Sequence, residues 1–154
     1  MKEIPIVNGD IFESGAQMIV HQVNCQGVMG SGVAKQVKEK YPAVFAQYKR
    51  ACDNAKKSSE LLGGVLPVNV SPNQQIINLF AQDKYGYDGK TYTDYDALQR
   101  CLNTLNLLSM HSKSIAIPYK MSCDRGGGDW EKVSKMIAET LSERDVTFYK
   151  FGGK

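Results

Sequence analysis

A chain of 154 residues, 42% of them hydrophobic and 23% charged, can bury one ordinary core and is too rich in apolar residues for a disordered protein. No apolar run approaches the roughly 18 residues of a membrane span, so no membrane partner is expected. The formal net charge is +3, with lysines scattered (Lys35, Lys38, Lys40, Lys56, Lys57), which reads as solvated helix faces and disfavours nucleic acid as a partner.

In chain order, "EIPIVNGDIF" reads as a strand with a turn at Asn8-Gly9, and "QMIVHQVN" as a short apolar strand. "SGVAKQVKEKY" is helical, with Val33, Val37 and Tyr41 on one face, and Pro42 suits the first turn of a second helix, "PAVFAQYKRACDNA". "GGVLPVNV" and "QQIINLFAQ" flank the turn-forming "SPNQ" and read as a β-hairpin. "TDYDALQRCLNTLNLLSMH" spaces Leu98, Leu102 and Leu105 as a helix does, with Thr93 or Asp94 as N-cap. "KSIAIPY" is a buried strand, "WEKVSKMIAETL" a helix with Trp130, Val133, Ile137 and Leu141 on one face, and "VTFYKF" the closing strand. Residues 1–154 carry no internal repeat or low-complexity segment and read as one domain, with "AKKSSE" at Ala55–Glu60 a surface loop. Strands alternate with helices, which predicts an α/β fold: a central mixed β-sheet flanked by helices on both faces.

The first residues lack the basic, apolar and small-residue regions of a secretory signal. Cys25, Cys52, Cys101 and Cys123 are far apart and form no C-x-x-C pair, so they read as reduced thiols of a cytoplasmic protein, with no metal expected.

Two strands, ending near Asn24 and Pro118, each deliver a glycine-rich loop straight into a helix: "NCQGVMGSG" and "SCDRGGGDW". Ligands of α/β folds bind beyond the carboxyl ends of strands, and glycine loops at helix N-termini present backbone N–H groups to anions. Two facing loops of this kind suit a diphosphate. Gly27 to Gly32 matches half of a P-loop, but Val33-Ala34 stand where Lys and Ser/Thr belong, so magnesium-dependent NTP hydrolysis is disfavoured and no cofactor is expected. The dinucleotide fingerprint fails as well, because Gly30 and Gly32 are followed by Lys35.

"VNGDIF", "VNCQGVMGSGVA" and "GGGDW", in that order, resemble the macrodomain, the ADP-ribose-binding fold. "GVMGSGVAKQVKEKYP" and "YTDYDAL" lean toward the branch of terminal ADP-ribose glycohydrolases and ADP-ribose-1''-phosphate phosphatases. The resemblance implies that Asp10 accepts from the adenine amino group, with the Ile11 N–H beside it, and that Asn24 touches the distal ribose. It implies that Gly27, Met29, Gly30, Ser31, Gly32 and Val33 wrap the distal ribose and one phosphate. Ser122, Cys123, Asp124 and Arg125, followed by Gly126, Gly127 and Gly128, would close over the diphosphate. Tyr149 or Phe151 would pack on the adenine, and Tyr85, Tyr87 and Tyr92 would line the distal pocket or simply sit on the surface.

Glycohydrolase members of that branch use a lysine after the "NLF"-type strand and an aspartate in the second loop. Gln82 and Gly126 align with those positions, with Lys84 and Asp124 two residues away. The reaction implied is hydrolysis of an ADP-ribosyl derivative at the distal ribose, an O-acyl, 1''-phosphate or protein-linked ester, with Asn24 and Asp124 as catalytic candidates and water positioned by Asn24. Two other readings stay open: a module that binds ADP-ribose without chemistry, and a cysteine hydrolase pairing Cys25 or Cys123 with His21 or His111.

Overall fold

The computed structural model describes residues 3–86, 88–111, 113–123 and 126–151. Six strands form one sheet: β1 (Ile6–Asn8), β2 (Met18–Val23), β3 (Val65–Ser71), β4 (Gln74–Phe80), β5 (Ser114–Pro118) and β6 (Asp145–Lys150), in the spatial order β1-β6-β5-β2-β4-β3. All neighbours run parallel except β3, which pairs antiparallel with β4 as the hairpin expected from the sequence. Pro67, which has no N–H to give to a ladder, sits in β3 at the sheet's edge.

Period-two alternation splits each strand's apolar residues between two cores. Met18 and Val20 of β2 face α3 (Tyr95–Leu108) and α4 (Trp130–Thr140), whose Leu98, Leu102, Leu105, Val133 and Ile137 are fully buried. Ile19 and Val23 face the opposite way, toward α1 (Gly32–Lys40) and α2 (Pro42–Asn54), which contribute Val37, Val44 and Tyr48. The result is the three-layer α/β/α arrangement read from the alternating pattern. The closing strand follows the same rule: Phe148 packs on Trp130 with ring centroids 5.0 Å apart, whereas Tyr149 lies on the α1/α2 side.

Two boundaries differ from the sequence reading, and a choice between two caps is settled. The first strand stops at Asn8, because the Asp10 carboxylate accepts the Phe12 N–H at 2.9 Å and turns Ile11–Glu13 into a single 3-10 turn. Ser58–Leu61, within and beyond the expected loop, forms another 3-10 turn. At the start of α3 the cap is Asp94, whose Oδ1 accepts from the Ala97 N–H at 3.0 Å, while Thr93 is turned inward.

The topology places an opening at one end of the sheet. From β2 the chain leaves to α1 on one face; from β5, its immediate neighbour, it leaves to α4 on the other. Segments diverging to opposite faces leave a crevice outside the carboxyl ends of the two strands.

Candidate functional site

That crevice is a cleft of about 250 Å³. Its walls come from the end of β2 with the first glycine loop and the start of α1, from Gln82, Tyr85 and Gly86 after β4, and from Pro118–Ser122 and Gly126 at and after the end of β5.

The first loop is shaped by two polar side chains. Asn24 Oδ1 accepts the Gln26 N–H at 2.9 Å, and its Nδ2 donates to the Val28 carbonyl at 2.8 Å. Below the loop, the buried Tyr48 hydroxyl of α2 lies 2.7 Å from Asn24 Oδ1 and 2.8 Å from the Asn24 carbonyl, and accepts the Val28 N–H at 3.2 Å. Burial raises the Tyr48 pKa, so the hydroxyl keeps its proton. The Asn24 amide oxygen is thus engaged by the Gln26 N–H and the Tyr48 hydroxyl, and the group the side chain retains for a ligand is one amide N–H. Gly27 adopts φ +79°, where a side chain would be strained.

The loop ends on an uncapped helix. Ser31 is the N-cap of α1, but its side chain makes no capping bond, and the first intrahelical bond is from Lys35 N–H to the Ser31 carbonyl at 3.2 Å. The N–H groups of Gly32, Val33 and Ala34 therefore lack intrahelical acceptors and line the cleft. Asp94 and Asp129, by contrast, cap α3 and α4, each followed by an acidic residue in the first turn. Among the described residues the cleft wall carries one charged side chain, Lys120, and no carboxylate. A dipole-positive helix end without a competing acid is an anion site.

The second loop has a different design. Lys120 (φ +61°) and Ser122 (φ +76°) turn the chain sharply after β5. The Gly128 N–H is spent on the Ser122 carbonyl at 2.7 Å, and the Gly126 carbonyl receives the N–H groups of Tyr92 (2.7 Å) and Thr93 (2.9 Å). A Cβ on Gly126 would lie 2.5 Å from Thr93 Oγ1, and one on Gly127 2.4 Å from the Lys90 carbonyl. These two glycines are required by loop-to-loop packing.

Of the residues singled out in the sequence, the structure brings Asn24, Gly30, Ser31, Gly32, Val33, Ser122 and Gly126 together on the cleft wall. Gly27 and Met29 turn inward, Met29 being 2% exposed. Cys123, Gly127 and Gly128 lie behind the wall, and Asp10, Ile11 and Phe151 lie outside it. Asp124, Arg125 and Tyr87 fall outside the described residues. Tyr85 lines the cleft, whereas the Tyr92 hydroxyl is turned to Asp88 at 2.9 Å. The sequence reading passed over Gln22 and Tyr48. The signal at Gln22 was available: a carboxamide continuing the buried Met18–Val20 face of β2 to its end.

The geometry disfavours a cysteine nucleophile. Burial pushes the thiols up, Cys25 to about 12 and Cys123 to about 11, leaving almost no thiolate at neutral pH. His111 lies in the turn between α3 and β5, three residues past the end of the helix the sequence reading placed it on, at the opposite end of the sheet from the cleft. His21 Nε2 lies 2.6 Å from Asn78 Oδ1, and Asn78 Nδ2 donates to the Leu66 carbonyl at 2.9 Å, so the amide oxygen faces the ring and Nε2 carries the proton. His21 Nδ1 is then a lone-pair acceptor, buried and without a protein partner, on a residue that lines the cleft. Burial lowers the His21 pKa to about 4, against the Asn78 bond, and the ring is neutral at pH 7. Among the described residues no cluster of His, Cys, Asp and Glu could hold a metal ion. No helix among them is long and apolar enough to cross a membrane.

Comparison with known proteins gives this geometry a context. Residues 20–137 match the family model described as Macro domain. A "DNA ADP-ribosyl glycohydrolase" of Mycobacterium tuberculosis is 29% identical over 155 residues, covering 95% of this chain and 42% of that protein. An "ADP-ribose 1''-phosphate phosphatase" of Neosartorya fischeri is 47% identical over 58 residues, 36% of this chain and 28% of that one. The chain thus spans well under half the length of these relatives. Among solved structures, the macrodomain of Mycobacterium tuberculosis DarG superposes with a TM-score of 0.79 at 24% identity, over 96% of this chain and 97% of that one.

Two outcomes are expected. Tyr48→Phe leaves the Val28 N–H and the Asn24 oxygens short of a buried partner and should cost about 1–3 kcal/mol in denaturant unfolding. His21 is lowered in the folded state, so the unfolded chain binds its proton first; stability is full above about pH 6.5 and falls as pH drops toward about 4, by up to about 3 kcal/mol. His21→Gln, which does not titrate, should flatten that part of the acid limb when unfolding midpoints at pH 7 and pH 4.5 are compared.

Proposed function

This chain belongs to the macrodomain family, and from that premise we propose that its cleft binds ADP-ribose and hydrolyses an ADP-ribosyl derivative at the distal ribose. The observation that carries the reading is the uncapped start of α1: three backbone N–H groups of Gly32, Val33 and Ala34 facing a cleft whose described wall holds no carboxylate. A pyrophosphate satisfies those donors, and a charge-assisted bond contributes about 1.5–3 kcal/mol.

Residue roles follow from remaining bonding capacity. Asp10 uses Oδ1 for the Phe12 N–H, and its second oxygen is assigned to the adenine amino group, with the Ile11 N–H beside it. Phe151, 46% exposed at the end of β6, is assigned to the adenine face. Asn24 offers its spare N–H to a distal-ribose hydroxyl, a narrower role than positioning the attacking water. Gly30 and Ser31 pass beneath the distal phosphate, while Ser122 and Gly126 close the far wall. Water activation is assigned to Asp124, and phosphate binding to Arg125.

The relatives named as hydrolases support turnover, on an O-acyl, 1''-phosphate or ester-linked derivative. One observation favours the alternative of a non-catalytic reader. Gln82 stands where glycohydrolase members carry lysine, and its amide is spent on Gln22 and on the Lys84 carbonyl at 2.9 Å. Covalent catalysis from that position is unavailable here.

Calorimetry with ADP-ribose, AMP and NAD tests the binding. ADP-ribose should bind tightest. Gly32→Glu, which forces a side chain onto φ +60° and adds a like charge to the anion site, should abolish binding, as should Asp10→Ala. Unchanged affinity in both variants would defeat the site. A time course with O-acetyl-ADP-ribose, ADP-ribose-1''-phosphate and an ester-linked ADP-ribosyl protein then separates enzyme from reader.

A further inference from the structure

Gln22 is the penultimate residue of β2, and its carboxamide bonds three residues far from it in sequence, Gln82, Thr93 and Ser122. Nε2 donates to Gln82 Oε1 at 2.8 Å and to Thr93 Oγ1 at 2.9 Å, and Oε1 accepts from the Ser122 hydroxyl. Thr93 passes the connection on, its hydroxyl donating to the Ser122 carbonyl at 2.9 Å while its backbone N–H reaches the Gly126 carbonyl. One side chain thus joins the end of the central strand, the segment after β4 and the second glycine loop. None of its ordinary replacements reproduces this: Glu has no N–H, Met has neither donor nor strong acceptor, and Asn is a methylene shorter.

The surroundings are built to admit the clamp. Gly126 lies where a Cβ would be 3.0 Å from Gln22 Nε2, and Ser122 is held at φ +76°, a conformation that needs external bonds to persist. Gln22 and its partners Gln82 and Ser122 also line the cleft. With both N–H groups spent, Gln22 does little direct ligand binding; what it controls is the position of the wall.

We propose that Gln22 is the positioning residue of the second loop, fixing the wall at Ser122 and at Gly126 for the distal phosphate and ribose, and that Gln82 serves as its second amide. The inference rests on the ADP-ribose reading for its ligand consequence and on the hydrogen-bond geometry alone for its effect on the loop. Those two parts are measured separately.

Gln22→Met keeps length and removes the bonds. In the ligand-free protein, hydrogen exchange should quicken at the amides of Tyr92, Thr93 and Gly128, which bond across this loop, and stay unchanged in β4. Affinity for ADP-ribose should fall on the order of tenfold, the scale of a lost buried hydrogen bond, whereas AMP, which lacks the distal phosphate and ribose, should bind as before. Ser122→Ala removes one bond of the three and should produce the same split more weakly, which keeps the proposal testable if Gln22→Met does not fold. Unchanged exchange at the three amides, or an equal loss for AMP and ADP-ribose, overturns it. Failure of the wild-type protein to bind ADP-ribose would instead defeat the functional reading, while the exchange result would still decide the clamp.

Discussion

Helix geometry leaves the first turn of α1 with N–H groups that no intrahelical carbonyl can reach, and in this protein no side chain takes their place. Ser31 stands at the N-cap with its hydroxyl turned elsewhere, and the first turn carries no acid. The same chain caps α3 and α4 with Asp94 and Asp129, whereas α2, which also lacks a side-chain cap, starts at Pro42, a residue with no N–H to satisfy. The open donors sit where β2 and β5 send the chain to opposite faces of the sheet, and the cleft, its positive potential and the need for an anionic guest all follow from that coincidence.

The two glycine loops look alike in sequence and serve different physical ends. The first is a backbone turn that delivers the chain to α1; Gly27 and Gly32 supply positive φ, and Tyr48 and Asn24 lock the shape from within. The second is glycine-rich because another loop lies against it: Gly126 meets Thr93 and Gly127 meets Lys90. The first loop supplies donors, and the second supplies a wall whose position depends on the groups behind it. His21, neutral and with its Nδ1 unpaired, adds a buried acceptor between them.

Much of this was legible in the sequence. Periodicity gave the helices and strands because their buried faces obey it closely: Leu98, Leu102 and Leu105 are all fully buried, and Phe148 and Tyr149 part to opposite faces as alternation requires. The strand–glycine–helix junctions marked the right end of the sheet. What stayed hidden were side-chain contacts between distant segments. The bonds of Gln22 span 60, 71 and 100 residues, and no local pattern encodes them. The choice of Asp94 over Thr93 as cap is of the same kind, since Thr93 is drawn inward by Gln22 and Ser122. At Asn24 the sequence identified the residue, and only the structure revealed how much of its amide the loop consumes.

The most direct test is an amide NMR titration of the isotopically labelled protein with ADP-ribose. The account predicts that the largest shifts fall on Gly30 to Ala34, with a second group at Ser122 and Gly126. Shifts that are absent at the start of α1, or that cluster on the β3 edge or the outer face of α2, would contradict it.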